Sequence, residues 1–550
     1  MKAIIRYVEK YQLLYWLLLV LLLAVTLIRF LTINVGFCTA WDEAYFLIKL
    51  KEAYEGSFIT GKSQWNLLAI HWFPYLNLTN PIHSRIAIYL CELIGAVIAT
   101  FTCSHVFEKR DILKYFTLSY LLFLQVDTTY AGESLNYVPM QALLLSSALC
   151  GVVLYWHSIR PTRIIWMIPT GFALGMAFFV IMPSSILLIG AIGLLLLLKK
   201  DWKAVLSLVG GILLTLLYVH FFVCDLSQIY DAMQFTATYF TKSGYRYSPF
   251  DMIVQLGLLA RDELLCMLIC TAIYYLSKLI ASYRPSLATI FMVTSLLIYY
   301  HYQVSPQTSI SLIICSFILV LLVENVHYSE WGGVKTNYCY SALILLFPLI
   351  ASIGTNTYIG GRMIGFSIAW LFLLFENKRI YKQYIGRLPF IEIVCVILLL
   401  HIFSPAVNKI HAKTDNYFTQ GNPAFAQLSL TDDQLNYLNN VTDIMNEHNY
   451  KKDSSIVFTT EYDWATVYAI DAKLSSNFYQ KRNFLFFPKD KMLKPDFVFM
   501  CAWDKMEIGD ALHEMPWGWP QEFDSVFVGS PEGKDFPWDA DRWLYYRKQN

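Results

Sequence analysis

Long apolar runs separated by short polar connections dominate the first 404 positions of this chain. A straight helix needs ~20 residues to cross the ~30 Å hydrocarbon core of a bilayer, so these runs predict about thirteen membrane-spanning helices. The first covers 11–34, directly before a polar stretch. The others are expected near 82–107, 114–126, 135–156, 164–182, 184–198, 204–222, 264–281, 286–304, 308–323, 337–352, 363–375 and 389–404.

The tail from about 405 to 550 is polar by comparison and predicts a small α/β domain. Thr431 and Gln434 are spaced as a capping box, which predicts a helix reaching about Glu447. Strands are expected at 455–460, 496–501, 523–529 and 543–547. The tail contains no nucleophile elbow, phosphate loop or metal motif. We therefore divide the chain into a membrane domain, 1–404, and an accessory soluble domain, 405–550.

Composition and charge support a polytopic membrane protein. Hydrophobic residues make up 56% of the 550 positions and charged residues only 15%, and a net charge of +1 gives no reason to expect a nucleic-acid partner. Lys2, Arg6 and Lys10 precede the first helix, so the positive-inside rule places the N-terminus in the cytoplasm. An odd number of spans then puts the soluble domain outside, in the periplasm or the extracellular space. We expect a plasma-membrane protein, with the bacterial inner membrane as its location.

Two adjacent carboxylates, Asp42 and Glu43, follow the first helix and are expected at the outer membrane surface. Charge close to hydrocarbon is costly and tends to be kept for function. The simpler interpretation is a helix N-terminus that favours acids. The segment behind them, 47–54, has an amphipathic pattern suited to a helix lying in the interface. This is the first long outer segment, 35–81; the second, 223–263, is rich in Tyr and Phe and predicts interfacial helices or a lid.

Transfer of a group from a lipid-phosphate carrier would require a base, cations for the departing phosphate and an apolar groove. The catalytic candidates are the carboxylates Asp42, Glu43, Asp127 and Glu133. The candidates for binding the donor phosphate are Lys62, His71, Arg85, Arg246 and Arg362. Chance loop acids, an interfacial structural histidine and a snorkelling Arg85 are the simpler alternatives. No cofactor is firmly implied, and no residues are assigned to a metal, although a divalent cation is compatible with this chemistry.

The motifs resemble those of the polyprenyl-phosphate-sugar-dependent glycosyltransferases of the GT-C superfamily, which include protein O-mannosyltransferases and the lipid A aminoarabinose transferase. Asp42-Glu43-Ala44-Tyr45 resembles their acidic first-loop motif, and His71–Val106, with Arg85-Ile86-Ala87, resembles their aromatic loop and second helix. Gly171–Ala177 followed by Pro183 resembles their fifth span. The chain departs from the pattern at Met182 and at Trp72-Phe73-Pro74, where those relatives often have a Lys and a Lys-Pro-Pro.

This resemblance implies an inverting transfer of a sugar from a polyprenyl-phosphate carrier to a hydroxyl of a protein, lipid or glycan, within the membrane lipid. Asp42 would be the general base, and a second-loop acid would help to hold the acceptor. The departures leave the phosphate-binding residues and the sugar open. A transporter or lipid flippase is the alternative, although no internal repeat between halves is evident. An enzyme of this kind should have its functional charges at the outer face of the membrane, whereas a carrier should have them near the midplane of the bilayer.

Overall fold

The structure is a computed structural model, and it describes most of the chain. The described residues are 2–36, 42–55, 65–107, 111–128, 134–159, 162–235, 249–302, 311–316, 319, 335–353, 359–376, 390–452, 454–459, 463–475, 492–501, 510–529 and 542–548.

The membrane part consists of helices joined by short connections or by segments outside the described residues. They are α1 (Lys2–Leu31), α2 (Asp42–Tyr54), α3 (Trp65–Trp72), α4 (Pro81–Val106), α5 (Ile112–Phe123), α6 (Gln125–Thr128), α7 (Tyr137–His157), α8 (Met167–Val180), α9 (Met182–Leu198), α10 (Trp202–Tyr218), α11 (Leu226–Phe235), α12 (Pro249–Tyr283), α13 (Pro285–Tyr302), α14 (Lys335–Ser352), α15 (Ile359–Arg362), α16 (Ile368–Glu376) and α17 (Phe390–His411). Short 3-10 turns precede α8 and α16, and a π-turn, Val219–Val223, extends α10.

Six of these helical segments are long and apolar enough to cross a membrane, judged by length and composition within the described residues. They are Pro81–Val106, Tyr137–His157, Thr162–Val180, Trp202–Val223, Leu256–Tyr283 and Val394–His411. Five shorter apolar helices accompany them. Every predicted span overlaps helical residues, although most of 308–323 lies outside the described part of the chain. The predicted class, an α-helical polytopic membrane protein with a small α/β domain, is confirmed.

Local sequence explains where several helices begin. The side chain of Asn80 accepts a hydrogen bond from the amide of Ile82, and Pro81 occupies the first turn of α4. Asn136 caps α7 in the same way, accepting from the amide of Val138 at 2.7 Å. Both caps precede long apolar runs, so they fix the residues at which α4 and α7 begin.

Glycines allow α8 and α10 to pack backbone against backbone. A Cβ atom on Gly171 would lie 2.0 Å from the carbonyl oxygen of Leu208, and one on Gly211 would lie 2.1 Å from that of Ile168. Thr215 donates across the same interface to the carbonyl of Phe172 at 2.9 Å. Small residues at helix contacts are the usual means of association in lipid, so this pair forms a rigid support within the bundle.

The soluble domain has a mixed five-stranded sheet in the order β2-β1-β3-β5-β4. Its strands are β1 (Ile456–Phe458), β2 (Lys473–Leu474), β3 (Phe497–Cys501), β4 (Phe523–Gly529) and β5 (Arg542–Arg547), and its helices are α18 (Asp432–Glu447) and α19 (Trp464–Ile470). Strand β1 is parallel to β2 and β3, whereas β5 is antiparallel to β3 and β4. The capping box at Thr431 and Gln434, with its helix to Glu447, is confirmed, as are the four predicted strands.

Several boundaries differ from the sequence interpretation. Helix α17 continues to His411, so the soluble domain follows that residue. Helix α12 begins at Pro249, within the predicted outer segment 223–263, and runs unbroken through Arg261 and Asp262. These two residues pair on the exposed surface of the helix, with 2.9 Å between Arg261 Nη2 and Asp262 Oδ1. An i,i+1 ion pair outside the helix leaves the backbone ladder intact.

Candidate active site

Helix α2, which begins with the acidic pair, lies between the membrane helices and the soluble domain. Phe46 and Leu50 belong to the core of the bundle. Ala44, Leu47 and Ile48 belong instead to the core of the soluble domain. The expected interfacial helix is therefore covered on both sides, and even Lys49 is buried, where it pairs with Glu52 at 2.8 Å. Its amphipathic pattern predicted one apolar face but could not show that a second protein layer covers the other.

Glu43 and Arg85 form a fully buried, bidentate ion pair between α2 and α4. Arg85 Nε donates to Glu43 Oε1 and Arg85 Nη2 donates to Oε2, both at 3.1 Å. Neither residue is more than 1% exposed. Charge-assisted bidentate bonds are strong and directional, so the carboxylate of Glu43 has one fixed orientation.

The same guanidinium binds the chain that leads into α2. Arg85 Nη1 donates to the carbonyl of Ile33 at 2.5 Å, and Nη2 donates to that of Gly36 at 2.8 Å. Arg85 thus connects the end of α1 with the start of α2. Its predicted role in binding donor phosphate stays a prediction, and these contacts give it a positioning role.

The connection between α6 and α7 also reaches this cluster. Ser134, fully buried, donates to Glu43 Oε1 at 2.7 Å. The next amide, that of Leu135, donates to the hydroxyl of Ser84 at 2.7 Å, one residue before Arg85. The start of α2, the connection between α6 and α7 and the start of α4 therefore meet at one carboxylate.

A second buried cation, Arg362, lies beside the first turns of α7. Its Nη2 donates to Gln141 Oε1 at 2.7 Å, and Gln141 Nε2 donates to the hydroxyl of Ser184 at 2.8 Å. The ring of Tyr137 connects this group with α2, because it contacts the guanidinium of Arg362 at 5.9 Å and the ring of Phe46 at 5.9 Å. Arg362 thus belongs to the same region of the bundle as Glu43 and Arg85.

Asp127 belongs to α6, which packs against α7 and against the turn that follows Arg362. A Cβ on Gly365, in that turn, would lie 3.7 Å from Val126 Cγ2. The backbone of Asp127 therefore lies next to the Arg362 segment, and its catalytic role stays a prediction. Its side chain and that of Asp42 lie outside what the structure describes.

His71 lies on α3, against a different neighbour. Its ring meets that of Tyr218, on α10, edge to face with 5.5 Å between centroids. This contact agrees with the structural alternative for His71, and its phosphate-binding role stays a prediction. Lys62, Glu133 and Arg246 lie outside the described residues, as does the core of the proposed lid at 236–248. Within the described part of the chain, no group of three or more His, Cys, Asp or Glu residues could hold a metal ion.

Sequence reasoning missed Ser134, Gln141 and Tyr137. Ser134 directly follows the stretch 127–133, which contains the candidate acids Asp127 and Glu133, so its position in the sequence indicated a place near the site. Gln141 is a polar residue inside an apolar span, which is a standard indication of an internal contact. Tyr137 resembles any other interfacial aromatic residue in the sequence, and only its neighbours distinguish it.

Comparison with known proteins gives a limited result. No protein-family model matches the sequence, and no curated protein matches it. Two solved structures of ArnT from Cupriavidus metallidurans are similar to the chain, one in the apo state and one bound to undecaprenyl phosphate. Each is 12% identical and is aligned over 96% of this chain and 97% of its own, with TM-scores of 0.47 and 0.43, respectively. At these values the alignments establish no residue-by-residue correspondence.

Proposed function

We propose that this chain is a membrane glycosyltransferase that moves a sugar from a polyprenyl-phosphate carrier to an acceptor hydroxyl, with inversion. Asp42 is the general base, and Glu43 is a positioning residue. Arg362, together with Lys62 and Arg246, supplies positive charge for the phosphate. The reaction takes place at the end of the bundle that carries the soluble domain, which we place outside the cytoplasm.

The observation that carries this proposal is the clamp on Glu43. Arg85 and Ser134 bind its carboxylate from two other elements, and the buried residues of α2 lock the helix on both sides. Asp42 is the first residue of the same helix. Its backbone is therefore held at a defined position, and a general base must be held within hydrogen-bond reach of the proton it abstracts.

The chemistry balances without a further reactant. The carboxylate of Asp42 takes the proton of the acceptor hydroxyl while the oxygen attacks the anomeric carbon. The bond between that carbon and the phosphate oxygen breaks, and polyprenyl phosphate leaves with the bonding electrons. Because attack and departure are on opposite faces, the anomeric configuration inverts. Nearby cations stabilise the charge that develops on the phosphate, so no metal is required.

A transporter or lipid flippase would place its functional charges deeper in the membrane. A buried ion pair joins α1 and α4: Arg29 Nη1 lies 3.1 Å from Glu92 Oε2. The guanidinium also lies 4.5 Å from the ring of Tyr89. Each charge is thus matched by the other across α1 and α4, which suits a structural pair better than an ion pathway.

The test uses the purified protein in lipid nanodiscs with undecaprenyl phosphate, the lipid bound in one ArnT structure, and with undecaprenyl-phosphate sugars as donors. We expect saturable binding of undecaprenyl phosphate and much weaker binding of undecaprenol, which lacks the phosphate. Release of undecaprenyl phosphate from a donor, dependent on an added acceptor fraction, would support transfer. Equal binding of both lipids would show that the protein does not recognise the phosphate, and this would contradict the proposed function.

A further inference from the structure

The soluble domain contacts the chain both before and after the segment that leads into the acidic pair. Before that segment, the amide of Gly36 donates to the carbonyl of Ser429 at 3.0 Å, and the amide of Ser429 donates to the backbone carbonyl of Asn34 at 2.8 Å. Val35 and Ser429 form an isolated parallel bridge. These backbone contacts attach the residues after α1 to the soluble domain, and Arg85 binds the carbonyl of Gly36 in the same stretch.

After that segment, α2 packs on α19 of the soluble domain. Leu47 is fully buried in the domain's core together with Trp464. The ring of Tyr45 meets that of Trp464 edge to face, with 5.4 Å between centroids. At the end of α2, Lys51 Nζ lies 2.8 Å from Asp471 Oδ1, just beyond the end of α19.

A third contact reaches the start of α4. The hydroxyl of Tyr468, also on α19, donates to the carbonyl of Thr79. The neighbouring side chain of Asn80, which caps α4, donates to Gln427 Oε1 at 3.3 Å. The soluble domain therefore contacts α2 and also the helix start that presents Arg85.

From these contacts we infer that the soluble domain is part of the catalytic apparatus: Trp464 and α19 are positioning elements that hold Asp42 and Glu43 in register with the bundle. The inference rests on the proposed function for its catalytic consequence, but not for the docking itself. A general base that is displaced by about 1 Å can lose up to about 100-fold in rate. The domain thus acts through α2 rather than on the substrate.

The structure provides a matched pair of tryptophans for the test. Trp464 and Trp517 are both 1% exposed and belong to the same domain. Trp464 shares its cluster with α2, whereas the cluster of Trp517, with Phe458 and Met515, contains no residue of α2 among those described. Replacing either by Leu leaves a comparable defect in the domain, but only Trp464→Leu removes the support of α2.

The measurements are hydrogen–deuterium exchange of residues 42–54 and, separately, kcat and donor KM, all on the full-length protein in nanodiscs. For Trp464→Leu we expect faster exchange in α2 and a kcat lower by about 10- to 100-fold, with donor KM within about twofold. Trp464→Phe, which keeps a ring against Tyr45, should restore both readouts. Trp517→Leu should leave α2 exchange and kcat close to those of the unmodified chain.

Equal effects of the two Leu variants, or unchanged α2 exchange in Trp464→Leu, would overturn the inference. A raised donor KM with unchanged kcat would also overturn it, because positioning of the base acts on the chemical step. If the protein transfers no sugar from any donor, the proposed function fails, but the exchange comparison still decides whether the domain supports α2.

Lys51→Ala provides a second variant, which removes one docking contact without opening a cavity in either core, and it should loosen the last turn of α2.

Discussion

Arg85 and Glu43 come from two helices, and their ion pair closes a ring of contacts around the entrance to α2. Two nitrogens of Arg85 hold both oxygens of Glu43, while its Nη1 holds the carbonyl of Ile33 at the end of α1. One side chain therefore fixes the distance between the end of the first helix and the beginning of the second. The acidic pair occupies this junction, so its geometry depends on a residue 42 positions away.

Removing Arg85 should destabilise the protein strongly. Arg85→Gln leaves the buried carboxylate of Glu43 without its cation, and breaking one side of a buried pair typically costs about 3–5 kcal/mol. Arg85→Lys should rescue little, because an ammonium cannot bind both oxygens and the loop carbonyls in the same fork geometry. Thermal unfolding in detergent measures the loss.

The double variant Glu43→Gln/Arg85→Gln should recover part of that stability, since no uncompensated charge remains. Arg261→Gln is the control, because its pair with Asp262 is exposed and worth only about 0–1 kcal/mol. Equal unfolding temperatures for Arg85→Gln and Arg261→Gln would contradict the clamp.

Asp42→Asn tests the proposed general base. The amide keeps the size and hydrogen-bonding shape of the side chain but cannot accept the proton, so transfer should fall by about 10²- to 10⁴-fold. Donor binding and folding should persist. Glu43→Gln should reduce transfer less, because its role is positioning. Glu55→Gln, at an exposed acid directly after the same helix, is the control.

Near-normal transfer by Asp42→Asn would favour the structural interpretation, in which the acid only favours the helix start. An amide performs that task almost as well as a carboxylate.

The membrane spans could be predicted because each depends on local information. A run of apolar residues and an Asn or Pro at its start, as at Asn80 and Pro81, suffice to place a helix. The strands and the capping box of the soluble domain are local in the same sense. The environment of α2 is not local, since Leu47 and Phe46 are both apolar and nothing in the sequence assigns them to different cores.

The role of Arg85 illustrates the same limit at the site. An arginine at the start of a span predicts snorkelling, and its burial against Glu43 depends on how three separate segments meet. Ser134 reaches Glu43 from 91 positions away, and Ser429 reaches Gly36 from about 390 positions away, distances that no spacing rule covers. A single sequence shows which residue types could carry the chemistry, but not which of them come together.

Topology is tested by reporter fusions. The Lys/Arg distribution predicts a cytoplasmic N-terminus, and backbone hydrogen bonds of Ser429 attach the soluble domain to the chain just after α1. Fusions after Arg387 and after Asn550 should therefore report opposite sides of the membrane. A result on the same side for both would contradict this orientation and the proposed location of the site.

Two adjacent glycines of α10 test the packing that supports the site. Gly211→Ala places a Cβ 2.1 Å from the carbonyl of Ile168, so α8 and α10 must separate, at a cost of about 1–3 kcal/mol. Gly210→Ala meets nothing within 4 Å and should be neutral, or stabilising by up to about 1 kcal/mol through helix propensity. Unfolding temperatures that fall equally in both variants would show that the close approach is not what Gly211 provides.

Asp471 should make the docking of α2 sensitive to acid. Burial alone would raise the pKa of its carboxyl, but hydrogen bonds from Lys51 and Lys452 hold that pKa below its usual value. A carboxylate whose pKa is depressed by folding contributes stability above its unfolded pKa of about 3.9 and loses it as the pH falls through the folded value. Because both lysines are partly exposed, the contribution should not exceed about 1 kcal/mol.

The measurement is the difference in unfolding free energy between the unmodified protein and Asp471→Asn as a function of pH. Asn suits this position, since residue 471 has a φ of +57° and Asn tolerates the left-handed conformation. We expect a constant gap above about pH 5 that closes as the pH falls below about 4. Asp524→Asn is the control, because Asp524 is exposed and lies 3.6 Å from Lys548, away from α2. A gap that widens towards acid pH would show that the carboxylate of Asp471 does not stabilise the docked helix.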